Sequence, residues 1–363
     1  MLKQEITAKV LTVGADWRHP RGGVAQVMAN YADFVFGEEN FNSVVNSGGN
    51  NVLQKLMSGI GGTASFVWKL FTDKKIKIVH IHTASYNSFW RSVIFQKIAK
   101  IFGKKVILHI HGGGFREFFQ TKHKLILPQL QKADAIAVLS VSWKKFFESI
   151  KANKNIHIIN NIIPEPIFQP VEHHKELRLL FLGTICDAKG IFDVLNVIIE
   201  KRECLKGRLK LFIGGNGEID RLRLMIKENR IENIVEFCGW VSGDCKIKLL
   251  NECDYFILPS YTEGLPLSII EALSYGKPVL TTPVGGIPEI VDGSVGELFL
   301  PGDLKMIEEC IKSSLANRCK LNEMSMNALA RSKPFLPQSV EEQLIQLYTS
   351  VYNKDRNSNS KSF

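Results

Sequence analysis

Short β-branched apolar runs alternate with longer amphipathic stretches along nearly the whole chain, and they do so in two series. KVLTV (9–13), KIVHI (77–81), KVILHI (105–110) and AIAVLS (135–140) read as buried parallel strands. Stretches near 24–36, 87–102, 115–132 and 142–150 read as helices between them. The pattern halts at NNIIPEPIFQPVEHHKE (160–176), where three prolines and no periodicity mark a linker. It restarts with LRLLFLG (177–183), LKLFIGG (209–215), IVEFCGW (234–240), DYFILPS (254–260) and KPVLTT (277–282). Alternation of this kind argues for doubly wound α/β sheets rather than a barrel or a sandwich. A chain of 363 residues also exceeds what one hydrophobic core usually serves. The expected architecture is two Rossmann-like domains, 1–162 and 177–338, joined by a linker over 163–176 and facing a central cleft. A last helix is expected over 339–352, then a disordered polar tail over 353–363.

Composition narrows the class. With 45% apolar and 23% charged residues, the chain has the make-up of a soluble globular protein. MLKQEITAKV lacks the apolar run of a signal peptide, and no segment reaches about 18 uncharged apolar residues. Seven cysteines without pairing or metal-ligand spacing fit reduced thiols in the cytosol, packed as small core residues. The net charge of +10 is unevenly placed: residues 1–168 hold 22 basic and 10 acidic residues, and the remainder 24 and 26. All the excess positive charge is therefore in the first half. It points to an anionic partner, whether a membrane surface, a phosphate-bearing substrate or nucleic acid.

The candidate motifs fall at strand ends, where open parallel sheets bind ligands. Gly22-Gly23, after the first strand, opens a helix whose free N–H groups could cradle an anion, or else forms an ordinary turn. In HIHGGGF, His109 is expected in the sheet and His111, on the opposite face, beside the glycines. His80 and His82 repeat that arrangement one strand earlier, in structural roles. Without a third ligand nearby, a metal site is not expected among these histidines. LFLGTICDAKGIFDVL carries Lys189-Gly190 into a helix start, where a lysine opposes the dipole unless it meets an anion. A solvated surface lysine is the competing reading. Gly214, Gly215 and Gly217 suggest a tight turn near a ligand, or backbone geometry alone. In SYTEGLPLSIIEALSYGKPVLTTPVGGIPEI, Glu263 and Glu271 lie eight positions apart on either side of a helix start, with Pro266 at its first turn. Glu271 has apolar neighbours, so it requires a hydrogen-bonding partner. Two carboxylates with backbone donors between them could grip a polyhydroxylated ligand and its phosphate, and the second glycine turn, PVGGIPEI, favours that reading.

This stretch closely resembles the donor-site signature of retaining glycosyltransferases of family 4, which have the GT-B fold. The Glu-seven residues-Glu spacing is the hallmark, and GKPV and GGIPEIV match as well. Gly22-Gly23, the HxHGGGF element, Lys189-Gly190, FCGWV and a final crossover helix extend the resemblance along the chain. It implies a nucleotide-sugar donor, UDP- or GDP-linked, with no further cofactor and no metal. Glu271 would accept from the ribose hydroxyls and Glu263 would contact the transferred sugar. Lys189 would neutralise the diphosphate, helped by backbone N–H groups from Gly264 to Leu267, a stretch that includes Leu265 and also Pro266, which has no N–H of its own. Gly22 and Gly23 would approach that diphosphate from the other domain, His111 would sit by the sugar, and Gly239-Trp240 would lie near the base. His111, Glu263 and Lys189 are thus the catalytic candidates. At the end of the strand closed by Gly183 the family usually places arginine, a second cation on the diphosphate. Here the residue is Thr184, and Arg18, Arg21 or Arg116 would have to substitute.

The resemblance assigns acceptor reading to the basic first domain. SFWRSVIFQKIAKIFGKKV sets Phe89, Trp90, Ile94, Ile98 and Ile101 among basic residues. This helix either lies on an anionic leaflet or faces the core with a solvated basic side. On the first reading the acceptor is a lipid-linked saccharide of surface polysaccharide assembly, and the enzyme is a cytoplasmic protein peripheral to the membrane. The rivals are a GT-B sugar-nucleotide epimerase and a basic nucleic-acid-binding protein. No nucleic-acid motif supports the latter, so nucleic acid is not an expected partner.

Overall fold

The structure is a computed structural model and describes residues 4–20, 22–47, 52–169, 174–316 and 320–359. The chain divides into two compact units. One comprises Met1–Pro164 with Pro334–Phe363, and the other Glu165–Lys333.

The first unit holds strands β1 (Val10–Ala15), β2 (Ser43–Ser47), β3 (Ile78–Thr83), β4 (Lys105–Ile110), β5 (Ala135–Val138) and β6 (Ile156–Ile158). Its helices are α1 (Gln4–Thr7), α2 (Gly23–Tyr31), α3 (Val52–Thr72), α4 (Asn87–Ile101), α5 (Phe115–Gln131) and α6 (Val141–Ser149). The strands pair in parallel in the order β2-β1-β3-β4-β5-β6. All six residues of β3 are buried, as a strand covered on both faces must be. Helix α3, which the sequence reading passed over, lies along β2. A Cβ on Gly62 would come 2.0 Å from the Val45 carbonyl, so the glycine that obscures the helical pattern is what lets the helix approach the strand.

The second unit holds β7 (Leu177–Leu182), β8 (Leu209–Gly214), β9 (Val235–Gly239), β10 (Tyr255–Leu258), β11 (Val279–Thr281) and β12 (Gly296–Leu298). Between and after them run α7 (Ile191–Glu200), α8 (Arg202–Leu205), α9 (Ile219–Glu228), α10 (Gly243–Glu252), α11 (Leu267–Ser274), α12 (Leu304–Ala316) and α13 (Leu321–Ser332). The sheet is again wholly parallel, ordered β12-β11-β10-β7-β8-β9. From β7 the chain winds one way to β9, then returns to β10 and winds the other way to β12. The switch in direction falls between β7 and β10.

The last helix, α14, runs Pro337–Asn359, beyond the expected limit at 352, because NKDRN contains no glycine or proline to stop it. Its residues Val340, Leu344, Leu347, Tyr348 and Val351 are buried, and it groups with the first unit. The cysteines are not uniformly core residues: Cys253 and Cys310 are buried, but Cys204 and Cys245 are exposed. Cys319 lies outside the described residues. No helix among those described is long and apolar enough to cross a membrane.

Candidate active site

The loops after β7 and β10 flank the switch point of the second sheet, and they are tied together. Gly190 adopts φ +69°, and a Cβ there would fall 2.1 Å from the Pro259 carbonyl, so the turn closes directly onto the end of β10. Tyr261 N–H donates to the Ala188 carbonyl at 3.0 Å. Lys189, in the 3₁₀ turn Asp187–Lys189, is thereby carried to Glu263: its Nζ lies 2.5 Å from Oε1, and the Ser260 hydroxyl donates to the same oxygen at 2.8 Å. The two candidates from separate motifs form one ion pair.

Helix α11 begins immediately after. Its N-cap is Pro266, and no side chain caps it, which leaves the positive end of the helix for an external acceptor. Glu271, 7% exposed, faces away from water as its apolar flank requires. Its partner is Lys246 of α10, whose Nζ lies 2.7 Å from Oε1. Lys246 was not a candidate from the sequence. Nothing in DCKIKLL distinguishes it, and only the unmet need of Glu271 could have pointed to a cation from another element.

The second glycine turn has a packing explanation that the sequence reading did not supply. Gly285, at φ +58°, sits so close to the Glu263–Gly264 backbone that a Cβ would be 2.1 Å from the Glu263 carbonyl. Gly286 N–H donates to the Gly264 carbonyl at 2.7 Å. The turn braces the loop that presents Glu263. Gly183 and Gly239 belong to the same set of strand ends: Gly183 N–H donates to the Gly214 carbonyl at 3.0 Å, and Gly215 N–H to that of Gly239 at 2.8 Å. Thr184 is exposed beside Gly183, and Trp240 is 53% exposed beside Gly239.

Gly22, Gly23 and His111 belong to the first unit. Gly22 and Gly23 open α2 at that sheet's own switch, between β1 and β3. A Cβ on either would meet nothing within 4 Å, so packing in the unit does not demand glycine at either position. Among the substitute cations, Arg116 stacks over Trp143 and Phe146 and Arg18 over Trp17, and Arg21 lies outside the described residues.

The histidines correct the sequence reading. Residues two apart on a strand share a face, so His109 and His111 point the same way, with ring centroids 4.2 Å apart. His82 pairs in register with His109 on the adjacent strand, which places all four histidines of β3, β4 and the residue after β4 in one stack, His80, His82 and His109 buried and His111 half-buried at its end. Tyr348 OH lies 2.9 Å from His80 Nδ1, His80 Nε2 3.2 Å from His109 Nδ1, and His82 Nδ1 3.0 Å from His111 Nε2. Burial drives the pKa of His80 and His111 down to about 3 and those of His82 and His109 well below the usual value. His111 also bonds the Asn161 side chain, so internal partners engage its polar atoms. A third potential ligand, judged absent from the sequence, is present: His80, His82 and His109 bring one nitrogen each within 4.8 Å of the others. Both nitrogens of His80 are already hydrogen-bonded, however, and a divalent charge buried among neutral rings would need an anion beside it.

Two doubly wound parallel units, one with a lysine–glutamate pair and an uncapped helix start at its switch point, make up the architecture of the GT-B fold. Residues 163–331, nearly the whole of the second unit, match the sequence model of the glycosyl transferases group 1 family. An uncharacterised glycosyltransferase of Methanocaldococcus jannaschii is 26% identical over 278 residues, which is 69% of either chain. The amylovoran biosynthesis glycosyltransferase of Erwinia amylovora is 31% identical over 145 residues, 37% of this chain and 35% of that one. The crystal structure of Anabaena HepE in complex with UDP and glucose matches with a TM-score of 0.74 at 18% identity, covering 94% of this chain and 99% of that chain, a likeness of fold.

Proposed function

We propose that the protein transfers a hexose-type sugar from a nucleoside-diphosphate sugar to a hydroxyl of a lipid-linked saccharide in surface polysaccharide assembly. The configuration at the anomeric carbon is retained, and no metal takes part. The observation that carries this reading is the Lys189–Glu263 pair at the β7/β10 switch, beside the uncapped start of α11. The Erwinia relative, named for amylovoran biosynthesis, supports a polysaccharide product, and the UDP held by the Anabaena protein favours uracil as the donor base.

In the proposed mechanism the diphosphate lies over the start of α11 and draws Lys189 toward it, releasing Glu263 for the sugar hydroxyls. Glu271 accepts from the ribose, and Gly239-Trp240 lies by the base. The acceptor oxygen bonds the anomeric carbon on the face from which the diphosphate departs. The acceptor's proton passes to a departing phosphate oxygen. Lys189 and the α11 N–H groups stabilise the charge that builds there, a role otherwise suited to a divalent ion. Gly22, Gly23 and His111 are the first unit's candidates for substrate contact. With both partners engaged, His111 offers a neutral ring rather than a proton donor.

The test is a thermal-shift panel of UDP, GDP and ADP on the wild type and Glu271→Ala. A nucleotide at about 100 times its dissociation constant stabilises by roughly 2.7 kcal/mol, a shift of several degrees. One nucleotide should shift the wild type and not the variant; no shift with any of them would overturn the donor assignment. Release of free nucleoside diphosphate only when acceptor is present would separate transfer from epimerisation.

A further inference from the structure

One face of the first unit is apolar, exposed and ringed by cations. Along α3, Ile60, Val67, Trp68 and Phe71 recur at helical spacing with exposures of 59%, 37%, 67% and 64%, while Phe66 and Leu70 on the other side are buried. A groove of about 970 Å³ lies between α3 and α4, walled by these residues together with Ile94 and Arg91. Ile101, two turns beyond Ile94 on α4, is 82% exposed. The α4 helix itself is mainly a core element, since Phe89, Val93 and Phe95 are buried and Trp90 and Ile98 pack against the core. Of the two readings of α4, the core-facing one holds for most of its apolar residues, and the exposed apolar surface is carried largely by α3.

The cations have a definite place. Lys97 is exposed on α4 between Ile94 and Ile101. Lys74 and Lys77, past the end of α3, crowd Lys104, past the end of α4. Burial first, and then these two charges, hold the Lys104 ammonium below its ordinary range, with Asp73 only partly offsetting them. Lys74 lies 5.1 Å over the Phe71 ring, so a charge and an exposed aromatic share one spot. The Nε of Arg91 is buried in the groove wall with no hydrogen-bond partner among the described residues. A second copy presenting the same face would set lysine against lysine. A surface with phosphates outside and hydrocarbon within matches both features.

We propose that the α3–α4 face seats the protein on an anionic lipid bilayer, with Ile60, Trp68 and Phe71 entering the interfacial layer and Lys74, Lys77, Lys97 and Lys104 meeting headgroup phosphates. Arg91 would hold a phosphate at the mouth of the groove. The inference does not depend on glycosyl transfer, and its failure would leave the donor-site reading untouched.

Flotation of the full chain with vesicles of phosphatidylcholine, alone or mixed with phosphatidylglycerol, tests it. Binding should require the anionic lipid and weaken with salt. Trp68→Ser/Phe71→Ser should lower it by about tenfold, and each of Lys74→Glu and Lys97→Glu by at least about fivefold. These side chains are exposed, so the variants should keep the wild-type melting temperature. Absence of binding to anionic vesicles, equal binding to neutral ones, or binding unaltered in all the variants would each overturn the proposal. So would a wild-type dimer on gel filtration that Trp68→Ser/Phe71→Ser abolishes, since a second copy would then own the face.

Discussion

Lys246 and Glu271 illustrate what a single pair does at a site of this kind. With side-chain exposures of 24% and 9%, each holds the other's charge in a place where neither would be stable alone. Glu271→Ala should therefore cost about 1–3 kcal/mol by leaving an ammonium half-solvated. Glu271→Ala/Lys246→Met should recover much of that stability without regaining a nucleotide-dependent shift; thermal melts with and without UDP separate the two effects. The histidine stack makes a second residue-level prediction. Its rings stay neutral in the folded protein down to far lower pH than in the unfolded chain. Between pH 6.5 and about 3 the unfolded chain thus takes up protons that the folded one refuses, and stability falls with pH. The loss reaches at most about 2 kcal/mol per histidine by pH 5. Melting temperatures from pH 7 to pH 5 should fall steeply in the wild type and less so in His82→Gln. Sequence spacing was enough to single out Lys189, Glu263 and Glu271. It could not reveal Lys246, because a pair 25 residues apart on different helices leaves no local mark.

Among the elements, the strands missed from the sequence were β2, β6 and β12, and each lies at the edge of its sheet. An edge strand is covered less completely and can be short or polar, as in SVVNS, IHI and GEL, so it lacks the apolar run that betrays a central strand. Helix α3 was hidden for a different reason. GIGG reads as a turn, yet Gly62 serves a close contact with β2 and the helix continues through it. Gly62→Ala should gain helix propensity and still destabilise the protein by about 1–3 kcal/mol, through the clash with the Val45 carbonyl. Gly61→Ala has no such neighbour and should be neutral or stabilising. Urea melts of the two variants make the comparison.

Over the whole molecule, the first unit is discontinuous: Met1–Pro164 is completed only by Pro334–Phe363. Helix α14 supplies the Tyr348 hydroxyl at 2.9 Å from His80 and five buried side chains. A chain ending at Lys333 should lose the cooperative unfolding of the first unit while the second keeps its own, and limited proteolysis followed by mass mapping would show cleavage confined to residues before 164. The two-unit plan was legible in the sequence because each unit repeats the same strand–helix rhythm. The return of the last helix to the first unit came only from the family resemblance, since nothing in its own residues says which unit it joins. During synthesis on the ribosome, the order of folding then cannot follow the order of the chain. The second unit emerges whole and can close first, whereas the histidine face of β3 and β4, partly covered by Tyr31 of α2, waits for Tyr348 until α14 has been made. A nascent first unit is therefore dependent on chaperones, or on speed, for as long as it takes to translate the other half of the protein.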